Sequence, residues 1–333
     1  MKRIAVLGAG SWGTALAIHL ARSGCPVRLW ARDAALVERI ARTRLNAAYL
    51  PGMVLPSAIT PEASLARAVD GAAFVVVAVP SHGFRQVMRA AAGHLSDSAV
   101  IVSATKGIEA GSLQRMSQVV FEETRGLLPI VALSGPSFAA EVARGLPAAV
   151  LAASTDANAA ARVQDQFRGP GLRLYVSDDV AGVEIGGALK NVIAIAAGAV
   201  EGLGLGHNAM AALITRGLAE ISRLACAEGG RRDTLAGLSG LGDLVLTCTG
   251  DLSRNRHVGL ELGRGRALAD VLNELRLVAE GVRTTAAAVE LGARHGIELP
   301  ITAQMAAVLA GRSSPREAVE TLMGRPQRAE LEA

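Results

Sequence analysis

The chain has 333 residues, of which 50% are hydrophobic and only 3% aromatic, and its formal net charge is +4. This length suits two domains, while the few aromatic side chains and the lack of a Lys/Arg run argue against a nucleic-acid partner. The 3 cysteines and 6 histidines show neither a disulfide framework nor a metal-ligand spacing, and the apolar runs are shorter than the ~18 residues of a membrane helix. We therefore expect a cytoplasmic protein with a small-molecule partner, no metal and no membrane insertion.

Short, continuously apolar runs alternate with helical stretches in the first half of the chain. Such runs are typical of strands that are buried on both faces of a parallel sheet. They are found at 4–7, 27–30, 74–79, 100–103, 130–133, 149–152 and 172–176. Stretches with helical periodicity, such as 12–22 and 112–124, lie between them. The alternation predicts an α/β domain with a doubly wound parallel sheet over residues 1–180.

The pattern changes after residue 178. Asp178 and Asp179 are suited to cap a long helix that runs to about Val200. Further helical segments, separated by Gly or Pro, are predicted at 208–228, 255–263, 267–276, 280–294 and 302–310. No convincing strand pattern follows. Residues 181–333 are therefore expected to form an all-α domain.

A glycine-rich loop lies between the first predicted strand and the first predicted helix. Gly8, Gly10 and Gly13 form G-x-G-x-x-G around Ser11 and Trp12. In this setting the first glycine permits a tight turn, the second lets the backbone approach a pyrophosphate, and the third lets the helix pack on the strand. The helix N-terminus then attracts the anion. The loop predicts a nicotinamide dinucleotide site and a dehydrogenase.

The second predicted strand ends where such a site contacts the ribose of the cofactor. A strict NAD binder usually has Asp or Glu there, whereas this chain has Trp30 followed by Ala31, Arg32 and Asp33. Arg32 is suited to bind a 2′-phosphate, which favours NADPH over NADH. Alternatively, Arg32 is a solvated loop residue and Asp33 caps the next helix, so the cofactor preference stays open.

Polar residues follow the later strands, where ligands bind in sheets of this kind. Lys106 follows the fourth strand, and Gly135 and Ser137 follow the fifth. We expect Lys106 to point into the ligand cleft, although a single Lys after a strand is also a common solvated residue.

Two segments of the predicted α domain carry polar groups that are suited to chemistry. Lys190 lies in a helix of Gly, Ala, Val and Ile, where its charge must reach solvent, a partner or a ligand. Ser253, Arg254 and Asn255 begin a predicted helix and together form a good phosphate site. The alternatives are a Lys190 that reaches solvent from an exposed face, a Ser253 that only caps the helix, and an Asp243 that only makes a turn.

Seven segments, taken together, are similar to one family. The chain resembles the bacterial-type NAD(P)-dependent glycerol-3-phosphate dehydrogenases over nearly its whole length. The segments are GAGSWGTALA (8–17), SATKGIE (103–109), SGPSFAAEV (134–142), ALKNV (188–192), GLGDLVLTCT (240–249), SRNR (253–256) and AEGVRTT (279–285).

The resemblance implies a Rossmann-type N-terminal domain with a 6-phosphogluconate-dehydrogenase-like all-α domain, in a homodimer. It implies reversible hydride transfer from NAD(P)H to dihydroxyacetone phosphate, giving sn-glycerol 3-phosphate for glycerophospholipid synthesis. Lys190 matches the catalytic Lys, and an apolar helix is expected to lower its pKa towards neutral. The residues that match substrate contacts are Lys106, Gly135, Ser137, Lys190, Asp243, Ser253, Arg254 and Asn255. Beyond the three glycines, those that match cofactor contacts are Ser11, Trp12, Arg32, Tyr49, Lys106, Ala139, Arg254, Val278 and Glu280.

Two other functions fit parts of this sequence. A related two-domain reductase, such as a β-hydroxyacid or 6-phosphogluconate dehydrogenase, would also combine a dinucleotide fold with a Lys on a helix. The SRNR segment argues against a substrate without phosphate. A sensor that binds NADPH without turnover would have no use for Lys106, Lys190 or the phosphate site.

Overall fold

The computed structural model describes residues 2–275, 279–327 and 329–330. The chain divides into two compact units. The first contains residues 1–106 and 114–183, and the second contains residues 107–113 and 184–333. The segment 107–113 is thus grouped with the second unit although in the chain it lies between the two parts of the first unit.

The first unit is built on one sheet of eight strands. They are β1 (Ile4–Leu7), β2 (Val27–Trp30), β3 (Ile59–Glu62), β4 (Phe74–Val77), β5 (Val100–Ser103), β6 (Ile130–Ser134), β7 (Ala148–Ala153) and β8 (Leu172–Ser177). Their order is β3-β2-β1-β4-β5-β6-β7-β8. Successive strands are added towards one edge up to β3 and towards the other edge from β4 onward, which is the switch in strand order that defines a doubly wound sheet. The predicted α/β architecture is confirmed. One pair departs from it, because β7 runs antiparallel to β6.

The strand that the sequence analysis missed lies at the edge of the sheet. The β3 segment Ile-Thr-Pro-Glu contains Pro61, which cannot donate a ladder hydrogen bond and is tolerated on an edge strand. Its polar residues also break the continuous apolar pattern by which the central strands were recognised. The strand at 74–77 ends two residues before the predicted end at Val79.

Seven helices of the first unit cover the sheet. They are α1 (Ser11–Arg22), α2 (Ala34–Thr43), α3 (Leu65–Val69), α4 (Ser81–Ala92), α5 (Met116–Glu123), α6 (Ala139–Arg144) and α7 (Ala157–Phe167). Helix α1 follows the glycine loop directly and is buried along most of its length. The Asp33 carboxylate accepts hydrogen bonds from the backbone N–H groups of Ala35 and Leu36, so that Asp33 caps α2.

Over the described residues from 184 onward, the regular secondary structure of the second unit is helical. Its helices are α8 (Val180–Gly202), α9 (Gly206–Ala227), α10 (Arg232–Leu235), α11 (Asp243–Thr249), α12 (Arg254–Gly263), α13 (Leu268–Glu274), α14 (Glu280–Arg294), α15 (Pro300–Leu309) and α16 (Pro315–Met323), with a short π-helix at Leu238–Gly242 before α11. The expected all-α region is confirmed. Asp179 caps α8 as predicted, since its carboxylate accepts from the Gly182 N–H at 2.8 Å. Helices α10, α11 and α16 were not predicted.

Helix α8 is long and apolar enough to cross a membrane by length and composition alone. Its most apolar window is nevertheless 89% buried inside the protein. Residues Ile185 to Ala197 on this helix supply much of the hydrophobic core of the second unit. We therefore describe α8 as a core helix.

Candidate active site

The glycine loop has the geometry that its sequence predicts. Gly8 has a φ of +116°, and a Cβ on it would lie 2.5 Å from the carbonyl oxygen of Ala78. A Cβ on Gly13 would lie only 1.9 Å from the carbonyl oxygen of Gly8. A Cβ on Gly10, in contrast, would meet nothing within 4 Å. The protein itself therefore requires the first and third glycines, while the second borders open space at the start of α1.

The start of α1 fits the pyrophosphate of a dinucleotide. The N-cap residue of α1 is Gly10, which has no side chain to accept hydrogen bonds from the first turn. Backbone N–H groups of that turn are therefore suited to bind an anion. Among the described residues, the buried indole nitrogen of Trp12 has no hydrogen-bond partner. The hydroxyl of Ser11 donates to the carbonyl of Tyr49 at 2.6 Å. Trp12, Tyr49 and Ala139 are each partly buried against the large hydrophobic core of the first unit.

The carboxylates near the ends of β2 and β3 are already engaged. Asp33 caps α2, and Glu62 accepts from the Ser64 N–H at 2.8 Å and from Arg67. The hydrogen bonds from Arg67 lower the pKa of Glu62. Arg32 is exposed and forms no hydrogen bond or ion pair with any residue that the structure describes. Of the two readings for this turn, the capping role of Asp33 is observed, while the contact of Arg32 with a 2′-phosphate stays a prediction.

Lys106, Gly135 and Ser137 meet around one carbonyl group at the carboxyl ends of β5 and β6. The oxygen of Gly135 accepts from the Lys106 ammonium at 3.1 Å and from the Ser137 hydroxyl at 2.9 Å. Gly135 has a φ of +129°, and a Cβ on it would lie 3.1 Å from Cα of Val150. This turn therefore needs a glycine, and it holds the three predicted substrate residues in one cluster.

In the second unit, Lys190 of α8 is paired with Asp243 of α11. The Lys190 ammonium donates to Oδ1 of Asp243 at 2.5 Å and to the hydroxyl of Thr247 at 2.9 Å. Thr247 in turn donates to the backbone carbonyl of Asp243 at 2.6 Å. Lys190 and Asp243 are both buried, with 7% and 1% of their surface exposed. The alternatives of a solvated Lys190 and of an Asp243 that only makes a turn are wrong.

This pair determines the local electrostatics. An adjacent carboxylate stabilises the ammonium form of Lys190, against the effect that the apolar helix alone would have. Burial raises the pKa of the neighbouring Cys248 thiol to about 12, and the charge of Asp243 adds to this increase. Cys248 is thus a protonated core residue, as expected from the sequence, and not a nucleophile.

Ser253, Arg254 and Asn255 form the start of α12. The hydroxyl oxygen of Ser253 accepts from the Arg256 N–H at 3.2 Å, so Ser253 does cap the helix. Arg254 is exposed at the first helical position. The Ser253 hydroxyl hydrogen, the Arg254 guanidinium and the helix N-terminus are groups that hold phosphates well.

The buried amide of Asn255 connects three helices. Its Nδ2 donates to Oδ1 of Asn191 on α8 at 3.0 Å, and its Oδ1 accepts from the Gly281 N–H in the first turn of α14 at 3.0 Å. A Cβ on Gly281 would lie 2.5 Å from the carbonyl oxygen of Asn191, so this approach needs glycine. Glu280 is the first residue of the same helix. The predicted cofactor residue Val278 lies outside the described residues.

Two residues of this site were missed in the sequence analysis. Thr247 lies four residues after Asp243, which places both on one face of a helix, and that spacing could have identified it once 243–249 was recognised as helical. Asn191 directly follows Lys190, but its contact with Asn255 depends on tertiary structure. Within the described part of the chain, no group of three or more His, Cys, Asp or Glu side chains is placed to hold a metal ion.

The sequence matches two family descriptions that together cover most of the chain. Residues 3–160 match the NAD-dependent glycerol-3-phosphate dehydrogenase N-terminus, and residues 179–320 match the NAD-dependent glycerol-3-phosphate dehydrogenase C-terminus.

Individual proteins are similar over the same extent. A protein from Koribacter versatilis, named glycerol-3-phosphate dehydrogenase (NAD(P)+), is 54% identical over 335 residues that cover 99% of each chain. A protein of the same name from Acidobacterium capsulatum is 54% identical over 338 residues, covering 99% of this chain and 100% of the relative. The crystal structure of glycerol-3-phosphate dehydrogenase from Coxiella burnetii superimposes with a TM-score of 0.94 at 41% identity, covering 97% of this chain and 99% of that one. These matches confirm the resemblance carried by the seven segments.

Proposed function

The chain belongs to the family of NAD-dependent glycerol-3-phosphate dehydrogenases, and on that premise we propose that it reduces dihydroxyacetone phosphate reversibly to sn-glycerol 3-phosphate with NADPH. One observation carries the proposal. Lys190 is held by Asp243, while the next residue, Asn191, is held by Asn255 at the start of α12. These hydrogen bonds connect the helix that carries the buried proton donor to the helix whose N-terminus is suited to bind a phosphate.

The phosphate of the substrate is assigned to the start of α12. The Arg254 guanidinium offers a bidentate pair of donors. The Ser253 hydroxyl oxygen accepts the capping hydrogen bond from the Arg256 N–H, and its hydrogen can still be donated to the phosphate. An amide nitrogen carries two hydrogens, so Asn255 can keep its bond to Asn191 and still donate one hydrogen to the phosphate. Further substrate contacts are proposed for Lys106, Gly135 and Ser137. These interactions orient the substrate and do not take part in the chemistry.

The proton is assigned to Lys190. The nicotinamide of the cofactor, when bound, supplies the hydride. As the ketone carbon is reduced, negative charge grows on its oxygen, and the Lys190 ammonium stabilises this charge and then donates the proton. In the reverse direction the neutral amine accepts the proton from the hydroxyl group. Asp243 and Thr247 hold Nζ of Lys190 in place for both steps.

The cofactor is assigned to a dinucleotide-binding domain of residues 1–180, with most substrate contacts in residues 181–333. The open space beside Gly10 supports binding of the pyrophosphate at the start of α1. Asp33 and Glu62 already accept hydrogen bonds from backbone N–H groups and, for Glu62, from Arg67, so fewer of their lone pairs remain for the 2′-hydroxyl of NADH. The exposed Arg32 supports the 2′-phosphate of NADPH instead, with NADH as a weaker alternative. The remaining predicted contacts at Tyr49, Ala139, Val278 and Glu280 are part of this proposal.

Family membership also supports a proposal for the compartment, the oligomeric state and the metabolic use of the product. We assign the protein to the cytoplasm as a homodimer whose product supplies glycerophospholipid synthesis. Light scattering of the purified protein would distinguish the dimer from a monomer of 34.2 kDa.

Absorbance at 340 nm tests the proposed reaction. NADPH should be consumed with dihydroxyacetone phosphate, while dihydroxyacetone, which has the ketone but no phosphate, should react at least about 100-fold less efficiently because its binding energy is lost. Equal efficiency with both substrates would favour the alternative reductases that act on non-phosphorylated substrates. No oxidation of NADPH or NADH with either substrate would contradict the proposal.

A further inference from the structure

Asn46 is fully buried in the segment between α2 and β3, next to the glycine loop. Its Nδ2 donates to the carbonyl oxygen of Ala9 at 2.8 Å and to the hydroxyl oxygen of Thr14 at 2.8 Å. A carbonyl oxygen can only accept a hydrogen bond, so the amide nitrogen is the atom that must face Ala9. One side chain therefore bonds both to the loop and to the helix that follows it.

The bond to Ala9 determines the orientation of a peptide group in the loop. The peptide between Ala9 and Gly10 is trans, and in a trans peptide the N–H points away from the carbonyl oxygen. Because the oxygen is directed towards Asn46, the Gly10 N–H is directed to the opposite side. A Cβ on Gly10 would meet nothing within 4 Å, so the backbone there is accessible to a ligand.

The segment that carries Asn46 is itself well held. Arg44 donates to the carbonyls of Leu55 and Ile59 at 3.2 and 3.0 Å and closes the segment at its base. The backbone carbonyl of Asn46 accepts from Leu50 at 2.8 Å. A second connection to the loop comes from the Ser11 hydroxyl, which donates to Tyr49. The amide of Asn46 is therefore presented from a closed turn.

Asn46 also carries an unfavourable feature. Its Oδ1 is buried and has no hydrogen-bond partner among the described residues. A buried unsatisfied acceptor destabilises a fold, and a Leu of similar size would avoid that cost. An Asn at this position is therefore better explained by the two bonds that its nitrogen makes than by packing.

We infer that Asn46 is a positioning residue for the cofactor: it holds the Ala9–Gly10 peptide so that the loop is preorganised for a pyrophosphate. The inference rests on the proposed function, because it presupposes that a dinucleotide binds at this loop. Asn46 acts through Ala9 and does not touch the cofactor.

The test compares two variants that each lose hydrogen bonds while keeping the number of side-chain heavy atoms. Asn46→Leu loses both bonds, whereas Thr14→Val loses only the bond to the helix. In titrations with NADPH, Asn46→Leu should raise Kd about tenfold, while Thr14→Val should stay within about twofold of the wild-type protein. In steady-state kinetics, KM for NADPH should rise with Kd, and kcat at saturating NADPH and KM for dihydroxyacetone phosphate should change little. Asn46→Ala, which removes the same donors, serves if the Leu variant does not fold.

Each result has a distinct meaning. An unchanged Kd for NADPH in the folded Asn46 variants would overturn the inference. So would an equal loss in Thr14→Val, since the effect would then follow from helix stability, and so would a fall in kcat with KM for NADPH unchanged. Failure of the wild-type protein to bind NADPH would contradict the proposed function instead.

Discussion

Gly259 of α12 lies against α8 so closely that a Cβ on it would be 1.8 Å from the carbonyl oxygen of Ile195. The contact is reciprocal, because a Cβ on Gly198 of α8 would be 1.9 Å from the carbonyl oxygen of Arg256. The two helices therefore touch backbone to backbone. Helix α8 carries Lys190, and α12 begins at the proposed phosphate site. Glycines at this crossing consequently set the spacing between the proton donor and the phosphate.

The first prediction concerns this crossing. Gly259→Ala improves helix propensity by less than about 1 kcal/mol, but the added methyl group overlaps backbone atoms, and overpacking costs about 1–3 kcal/mol or more. We expect lower stability in urea denaturation and a higher KM for dihydroxyacetone phosphate. Gly93→Ala is the matched control, since a Cβ there meets nothing within 4 Å. Equal free energies of unfolding for the two variants would contradict this account, because they would show that α8 and α12 accommodate the methyl group without loss of stability.

The second prediction concerns the charge of Asp243. Asp243→Asn keeps the shape of the side chain but removes the negative charge that stabilises the Lys190 ammonium. We expect kcat for ketone reduction to fall about 10- to 100-fold, the range for one hydrogen bond to a charged group. The basic limb of the pH–rate profile should also move to lower pH, because less ammonium is present at a given pH. A profile that keeps its position would contradict the proposed role of the carboxylate.

The third prediction concerns cofactor preference. Arg32→Ala should lower kcat/KM for NADPH by about 10- to 100-fold through loss of charge-assisted bonds to the 2′-phosphate. The value for NADH should change little. Arg42→Ala, which alters another exposed arginine on the adjacent helix, is the control and should leave the ratio between the two cofactors unchanged. An equal fall in kcat/KM for NADH and for NADPH would contradict a contact between Arg32 and the 2′-phosphate.

The fourth prediction concerns the pH dependence of stability. Burial lowers the pKa of His19, whose Nε2 lies 2.7 Å from the carbonyl oxygen of Phe167. The folded protein favours the neutral ring, whereas the unfolded chain titrates near ~6.5. The neutral His19 ring therefore contributes fully to the free energy of unfolding above pH ~6.5, and this contribution is lost as the pH falls through the lowered pKa.

Urea denaturation at several pH values checks this contribution. His19→Leu should be less stable than the wild-type protein at neutral pH, but its stability should fall less as the medium is acidified from pH ~6.5. His94→Gln, which alters an exposed histidine, should keep the wild-type slope. Parallel slopes for His19→Leu and the wild-type protein would assign the acid sensitivity to other groups.

The elements that the sequence predicted best are those with a single dominant signal. Strands β1, β2 and β5 have the predicted bounds because predominantly apolar runs of this length are typical of strands buried between two layers, although Arg28 interrupts the run in β2. The antiparallel direction of β7 could not be predicted, since such a run carries no information on direction. Helix α11 was missed because its start, Gly-Leu-Gly-Asp, has the composition of a turn, and tertiary contacts override this local preference.

The candidate site shows the same division. The roles of Gly8 and Gly13 follow from steric rules and were predicted from spacing alone. For Asp33 and Ser253 the sequence allowed both a cap and a ligand contact, and only the structure showed the caps. Asn46 carried no signal, because its partners are a backbone carbonyl and a helix residue more than thirty positions away.

The most direct test of the account is the separation of binding from turnover in a variant of Lys190. Lys190→Met keeps the aliphatic stem of the side chain and removes the proton donor. With the fold verified by its melting temperature, NADPH should bind within about twofold of the wild-type Kd, while kcat for reduction of dihydroxyacetone phosphate should fall about 10²- to 10⁴-fold. A folded Lys190→Met protein that keeps the wild-type kcat would contradict the assignment of Lys190 as the proton donor.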